Sequence, residues 1–182
     1  MELDALKRVT RRTRLLNHGR HENSAEHSWH FAMAAMSLAP WAPEGTTISR
    51  VIEMALVHDI VEIDVGDVLV YDLAGRAAVA EREAAAARRI FGLLPAAQSA
   101  RFLALWEEYE AGTTAEARFA GALDRLLPVI QNLHNEGQSW RENDIALEQV
   151  LSRNAHVAQT LPALWDYVEQ QLYSARDQGW LR

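Results

Sequence analysis

The sequence predicts an all-α fold, and three observations carry that expectation. Apolar residues recur at helical spacing along most of the chain. Two of those stretches are preceded by a small polar residue with glutamate three places on, the pattern that caps a helix N-terminus. No strand-like alternation of useful length appears, apart from an ambiguous stretch over residues 60–70.

The elements follow in order. Residues 1–17 are expected to form a helix, with Leu3, Leu6, Val9, Leu15 and Leu16 as a partial apolar stripe. His18-Gly19-Arg20-His21-Glu22 reads as a loop. Asn23-Ser24-Ala25-Glu26 resembles a capping box and opens a helix over residues 24–38, which ends before Pro40 and Pro43. Thr46-Thr47-Ile48-Ser49 starts the next, with Val51, Ile52, Ala55, Leu56 and Ile60 inward, and Gly66 breaks it. Residues 74–92 are rich in Ala, Arg and Glu, which favour helix. Pro95 suits the first turn of a helix running to about residue 111. Thr113-Thr114-Ala115-Glu116 reads as a second capping box, opening a helix to about residue 134 that Gly137 closes. Residues 143–153 and 162–178 complete the set. Leu161, Leu164, Trp165, Val168 and Leu172 give the last helix an apolar face, read chiefly as core packing. With no repeat, linker or low-complexity tail, residues 1–182 are expected to form one domain.

Composition narrows the function classes. A chain of 182 residues, 49% of them apolar, can bury a sizeable core. No run reaches the length of a membrane span, and the N-terminus lacks the basic-then-apolar pattern of a secretory signal. With no cysteine there is no disulfide framework and no thiolate metal ligand, so a cytoplasmic location is expected. The net charge of −7 argues against a duplex nucleic-acid binder, which needs a basic face. Lys7, Arg8, Arg11, Arg12, Arg14 and Arg20 nevertheless cluster ahead of His27. Most are expected on a solvated face, with one or two guanidiniums turned inward as a phosphate fork.

Four residues distant in sequence form a metal-ligand set: His27, the doublet His58-Asp59, and Asp124. Two imidazoles and two carboxylates suit Mn, Fe, Co, Ni, Zn or Mg. Three helices packed together can bring such residues to one point. Singly, His27 reads as a capped or surface histidine, and Asp124 as a partner for Arg118 or Arg125. However, Asp124 and His58-Asp59 each interrupt an apolar stretch, where an unpaired charge is costly. A shared cation answers both interruptions. Glu62 lies four residues after His58, hence on the same helix face, and Asp67 follows Gly66 in the turn. Carboxylates beside a metal, but not bound to it, can orient water or move a proton.

The chain resembles the HD-domain metal-dependent phosphohydrolases, and among them the bacterial 5'-deoxynucleotidases. The matching stretches are Glu22-Asn23-Ser24-Ala25-Glu26-His27-Ser28, Ala55-Leu56-Val57-His58-Asp59-Ile60-Val61-Glu62 through Val65-Gly66-Asp67, and Ala122-Leu123-Asp124-Arg125. They span roughly residues 1–135. The resemblance implies an HD-domain helical bundle with one divalent metal between helices, the C-terminal helices completing it. It implies His27, His58, Asp59 and Asp124 as metal ligands, and Glu62 and Asp67 as acidic residues in catalytic or orienting roles. Arg12 stands where those enzymes carry a substrate-contacting Arg, and Arg20 is a further candidate for phosphate contact. Thr13 replaces a Trp that helps those enzymes sense the sugar, so strict selection against ribonucleotides does not carry over.

The implied reaction is attack of an oriented water on a nucleoside or deoxynucleoside 5'-monophosphate, giving a nucleoside and phosphate. The partner is a small phosphate substrate, with no nucleic acid or membrane, and a homodimer is expected by resemblance. Di-iron oxygenases of the same fold need extra histidines between the doublet and the last Asp, and residues 60–123 contain none. The competing class is an HD-fold protein that senses nucleotides without turnover, or a hydrolase of another phosphoester. His18, His21, His30 and His156 lack motif support, and the six tryptophans are scattered. His134, Asn135, Glu136 and Trp140 read as a helix end.

Overall fold

The structure, a computed structural model, describes residues 1–16, 19–67 and 73–182. A 3₁₀ helix (Glu2–Arg8) leads into strands β1 (Thr10–Arg14) and β2 (His21–Asn23). Helix α1 (Ser24–Ser37) follows, then a 3₁₀ turn (Ala39–Trp41) and α2 (Ile48–Val57). A second 3₁₀ turn (His58–Val61) joins α2 to the short α3 (Glu62–Val65). Then come α4 (Leu73–Phe91), α5 (Ala96–Ala111), α6 (Ala115–His134), α7 (Gln138–Glu142), α8 (Leu147–Arg153), α9 (Ala155–Thr160) and α10 (Pro162–Asp177). The architecture is helical, as expected, with one small sheet.

That sheet corrects the N-terminal expectation. Helix stops at Arg8, and Val9 is already extended. β1 pairs antiparallel with β2, Thr10 opposite Asn23 and Arg14 opposite His21, with an irregular register between. Two β-branched threonines in five residues favour this backbone. Asn135 Nδ2 then secures the strand's end, donating to the carbonyls of Arg14 (3.2 Å) and Leu15 (3.0 Å). The expected helix end at Asn17 and the start of the loop at His18 lie outside the described residues, as do positions 68–70 of the ambiguous stretch.

Helix α1 starts where its cap places it. Glu26 N donates to Asn23 Oδ1 (2.9 Å), and Asn23 N donates to Glu26 Oε2 (3.2 Å). The second capping box is only half formed. Thr114 Oγ1 accepts from Ala117 N, but Glu116 sits one residue too early to reach back. Instead Glu116 accepts from Thr47 N at the head of α2 (2.9 Å), tying α6 to α2. Pro95 is the cap of α5 rather than part of its first turn. Residues 143–153 do not form one helix: α7 ends at Glu142, Asp144 takes a positive φ of 51°, and α8 begins at Leu147. Helix α9 was not expected. Gly137, with φ 65°, is required: a Cβ there would lie 2.5 Å from the Trp180 carbonyl oxygen.

The core lies between α1, α2, α5 and α6, which pack on one another. Phe31, Met54, Ala55, Phe119 and Leu123 are wholly buried there. Truncating Phe119 to alanine is expected to cost about 3–5 kcal/mol. Helix α10 packs on α6, α8 and α9, burying Trp165, Val168 and Leu172, so its apolar face is core packing. No helix among the described residues is long and apolar enough to cross a membrane.

Candidate metal centre

Three helical segments converge on one point. His27 lies one turn into α1, Asp124 lies midway along α6, and His58-Asp59 open the 3₁₀ turn that ends α2. That turn advances about 120° per residue instead of 100°, which re-aims the doublet relative to α2. His27, His58 and Asp59 each place a ligand atom within 4.8 Å of the others. Asp124 Oδ1 lies 2.9 Å from His27 Nε2 and 3.7 Å from His58 Nε2. His27 is wholly buried and His58 nearly so.

The donor set fits a cation. His58 Nδ1 lies 3.0 Å from the Ala55 carbonyl, which can only accept, so Nδ1 carries the hydrogen and a neutral ring keeps its lone pair on Nε2. Nε2 is buried without a hydrogen bond, 3.1 Å from Asp59 Oδ1. An imidazole lone pair facing two carboxylates is stable only with a proton or a cation among them. His27 is braced likewise: Nε2 faces Asp124, while Nδ1 lies 3.6 Å from Glu22 Oε2. Gln131 Nε2 in turn donates to Glu22 Oε1 (3.1 Å). A carboxylate behind a ligating imidazole fixes its tautomer and raises its basicity.

Two further features hold Asp124. Tyr109 Oη donates to its Oδ2 (3.1 Å), and the Tyr109 ring packs edge-on against His58, centroids 5.1 Å apart. Pro128 lies one turn beyond Asp124 in α6 and has no N–H, so the Asp124 carbonyl loses its regular helical partner.

Proton affinities here are strongly shifted. Burial works against ionising Asp124, yet contact with His27 and His58 outweighs it and holds the carboxyl well below its usual range. Burial also opposes protonating His27 and His58. Asp124 and Glu22 around His27, and Asp59 and Asp124 around His58, reverse that and raise both imidazoles. Burial pushes Glu62 well above the usual carboxylate range, Asp59 adding to the effect. Asp67 is raised mainly by burial, with Arg11 opposing.

The centre opens into a cleft of about 340 Å³. Arg12, Thr13, Glu62 and Asp67 line it beside His58, Asp59 and Asp124. Glu62 is fixed by Ser24, whose Oγ donates to Oε2 (2.6 Å). Arg20 is the exception: it forms a bidentate pair with Glu26 on the surface and does not line the cleft, because the β1–β2 pairing carries the chain away from it. Arg11 takes the inward place, its Nη1 2.8 Å from Asp59 Oδ2. In the sequence Arg11 stands only within the basic cluster, because the family resemblance points to its neighbour Arg12. Glu22 stood in a recognised stretch without a role. Tyr109 and His156 gave no signal, yet both line the cleft.

A family model described as an HD domain matches residues 3–165. A solved predicted metal-dependent phosphohydrolase from Magnetospirillum magnetotacticum MS-1 is 44% identical, covering 99% of this chain and 93% of its own, with a TM-score of 0.92. Human 5'-deoxynucleotidase HDDC2 is 34% identical over 127 residues, 69% of this chain and 61% of its own length. The Dictyostelium discoideum protein of that name is 30% identical over 149 residues, 78% of each chain. The matched region spans about half to three-fifths of the first vertebrate relatives. A conserved hypothetical protein from Pyrococcus furiosus, 18% identical with a TM-score of 0.63, shares the fold.

Proposed function

This chain belongs to the HD domain family, and from that premise we propose that it is a metal-dependent phosphomonoester hydrolase releasing phosphate from nucleoside or deoxynucleoside 5'-monophosphates. The observation that carries the reading is the approach of His27, His58, Asp59 and Asp124 to one another beside a cleft that also presents Glu62, Asp67, Arg11 and Arg12. The names of the phosphohydrolase and deoxynucleotidase relatives support it.

His27, His58, Asp59 and Asp124 would hold one divalent ion of the Mn, Co, Mg, Zn, Fe or Ni class. A bound ion there supplies Lewis-acid polarisation of a phosphoryl oxygen and a lowered pKa for water. Glu62 is held by Ser24 at Oε2, and its raised proton affinity suits it to take a proton from water at the other oxygen. Asp67, also raised and lining the cleft, would return a proton to the leaving alcohol. Arg11 and Arg12 present guanidiniums that can neutralise phosphoryl oxygens. Arg20 has no part in this arrangement. Thr13 leaves more room beside the sugar than Trp would, so ribonucleotides should also be accepted. A cytoplasmic homodimer acting as one domain belongs to the same proposal. The cysteine-free composition and the exposed Trp29, Met33 and Met36 along α1 support it.

Phosphate release from ribo- and deoxyribonucleoside 5'-mono-, di- and triphosphates tests the reading. The protein is stripped of metal and resupplied with Mn, Co, Mg or Zn, with Asp59→Ala as control. Metal-dependent release from monophosphates that the variant loses is expected. Metal binding without release from any of them would move the weight to a nucleotide sensor or another phosphoester.

A further inference from the structure

The cleft has a second polar end that metal binding and phosphate chemistry do not use. It is built from α6, α8 and α9. Arg153 ends α8, His156 lies in the first turn of α9, and Gly121 and Arg125 lie on α6. All four line the cleft. His156 Nε2 sits 3.3 Å from the Gly121 carbonyl, and Gly121 lies one turn, about 5 Å, before Asp124. The group is therefore about one helical turn from the metal-ligand cluster.

Two independent observations mark this end as built for a ligand. First, Arg153 Nη2 is buried and has no hydrogen-bond partner among the described residues. A buried guanidinium donor left unmatched is costly, so it needs an acceptor. Second, Gly121 stands in the interior of a twenty-residue helix, where glycine is unfavourable relative to alanine. Neither packing nor backbone requires it: its φ is not positive, and a Cβ there would meet nothing within 4 Å. The unfilled space opens onto the cleft beside His156. An unmatched donor and an unfilled wall in one cleft describe a subsite awaiting an acceptor.

We propose that Arg153, His156 and Gly121 form a subsite for the leaving-group end of the substrate, binding an oxygen acceptor about one helical turn from the scissile phosphate. The proposal rests on the hydrolase reading. The acceptor is either a keto oxygen of a nucleobase or a second phosphoryl group on the sugar. Arg153 donates the hydrogen bond, and Gly121 provides the room.

Equilibrium binding tests it without depending on turnover. The 5'-methylenephosphonate analogue of thymidine monophosphate and benzylphosphonate, which lacks the distal acceptor, are titrated calorimetrically into the Mn-loaded protein. Wild type should prefer the nucleotide analogue, and in Arg153→Met that preference should fall by about tenfold or more. Gly121→Leu, on a different helix, should lower it similarly by filling the space. A preference unchanged in either folded variant overturns the subsite. The analogue of 2'-deoxyadenosine monophosphate, which lacks a base carbonyl, and that of thymidine 3',5'-bisphosphate separate the two sources. If Arg153→Met costs the adenine analogue less than the thymine one, the acceptor is the base carbonyl; if it costs the bisphosphate most, the acceptor is phosphate. Phosphate release from thymidine 5'-monophosphate by wild type, measured alongside, reads the hydrolase proposal separately.

Discussion

Tyr109 holds Asp124 from outside the ligand set: its hydroxyl donates to Oδ2 at 3.1 Å, which leaves Oδ1 facing His27 and His58. The bond selects one orientation of a carboxylate that would otherwise rotate. Tyr109→Phe removes that bond and keeps the ring against His58. Metal affinity should fall by about tenfold, the range found when such supporting hydrogen bonds are removed. Calorimetric Mn titration checks it, and an unchanged affinity would reduce Tyr109 to a packing residue.

Arg11 pairs with Asp59, a carboxylate that the proposed metal would also need. Its guanidinium contacts Asp59 and lies 3.6 Å from Glu22, with both side chains largely buried. Arg11→Met should therefore strengthen metal binding, because a positive charge beside the site is gone. The same change removes a donor for the phosphoryl oxygens, so kcat/KM should drop by about 100-fold or more. Parallel loss of metal affinity and activity would instead assign Arg11 a purely structural role.

The shifted groups fix how the metal-free protein responds to pH. Asp124 is held below its ordinary value of 3.8, so its stabilising contribution is present above that value and fades as the pH falls further. His27 and His58 are raised above 6.5, so theirs is complete below 6.5 and fades as the pH climbs through the raised values. The cluster therefore stabilises the metal-free protein most between about pH 4 and 6.5. Metal binding displaces the imidazole protons, so the gain in Tm on adding Mn should grow from pH 6 to pH 8. Thermal melts with and without metal measure both trends, and a gain that shrinks with pH would contradict the assigned ligands.

The sequence showed the helices and the convergence of His27, His58, Asp59 and Asp124 because both leave apolar periodicity or its interruption. Asp124 and the His58-Asp59 doublet stood out as charges inside runs of Leu, Val and Ala. β1 was hidden for the complementary reason. Its inward residues are Arg11, which pairs with Asp59, and the buried Thr13, so the strand carries no apolar alternation. A strand that faces a polar site reads as a charged helix face. Tyr109 was illegible for a similar reason: on an amphipathic helix an inward tyrosine looks like core, and its hydroxyl partner lies fifteen residues away.

Ser24 offers the most direct test of Glu62. The serine opens α1, and its position is set by the Asn23–Glu26 cap rather than by Glu62. Its hydroxyl stabilises the ionised carboxylate and so opposes burial and Asp59, which raise the proton affinity of Glu62. Ser24→Ala removes the opposing influence, and the carboxyl becomes harder to ionise. If Glu62 takes the proton from water, it must be ionised to act, so the acid limb of the kcat/KM profile moves to higher pH. Activity at the acid end should fall by about tenfold or more, as expected for one lost hydrogen bond to a charged group, and recover at alkaline pH. The profile must be taken at saturating metal, because metal affinity has its own pH dependence. A uniform loss at every pH would mean that Ser24 only positions α1 and that another group takes the proton.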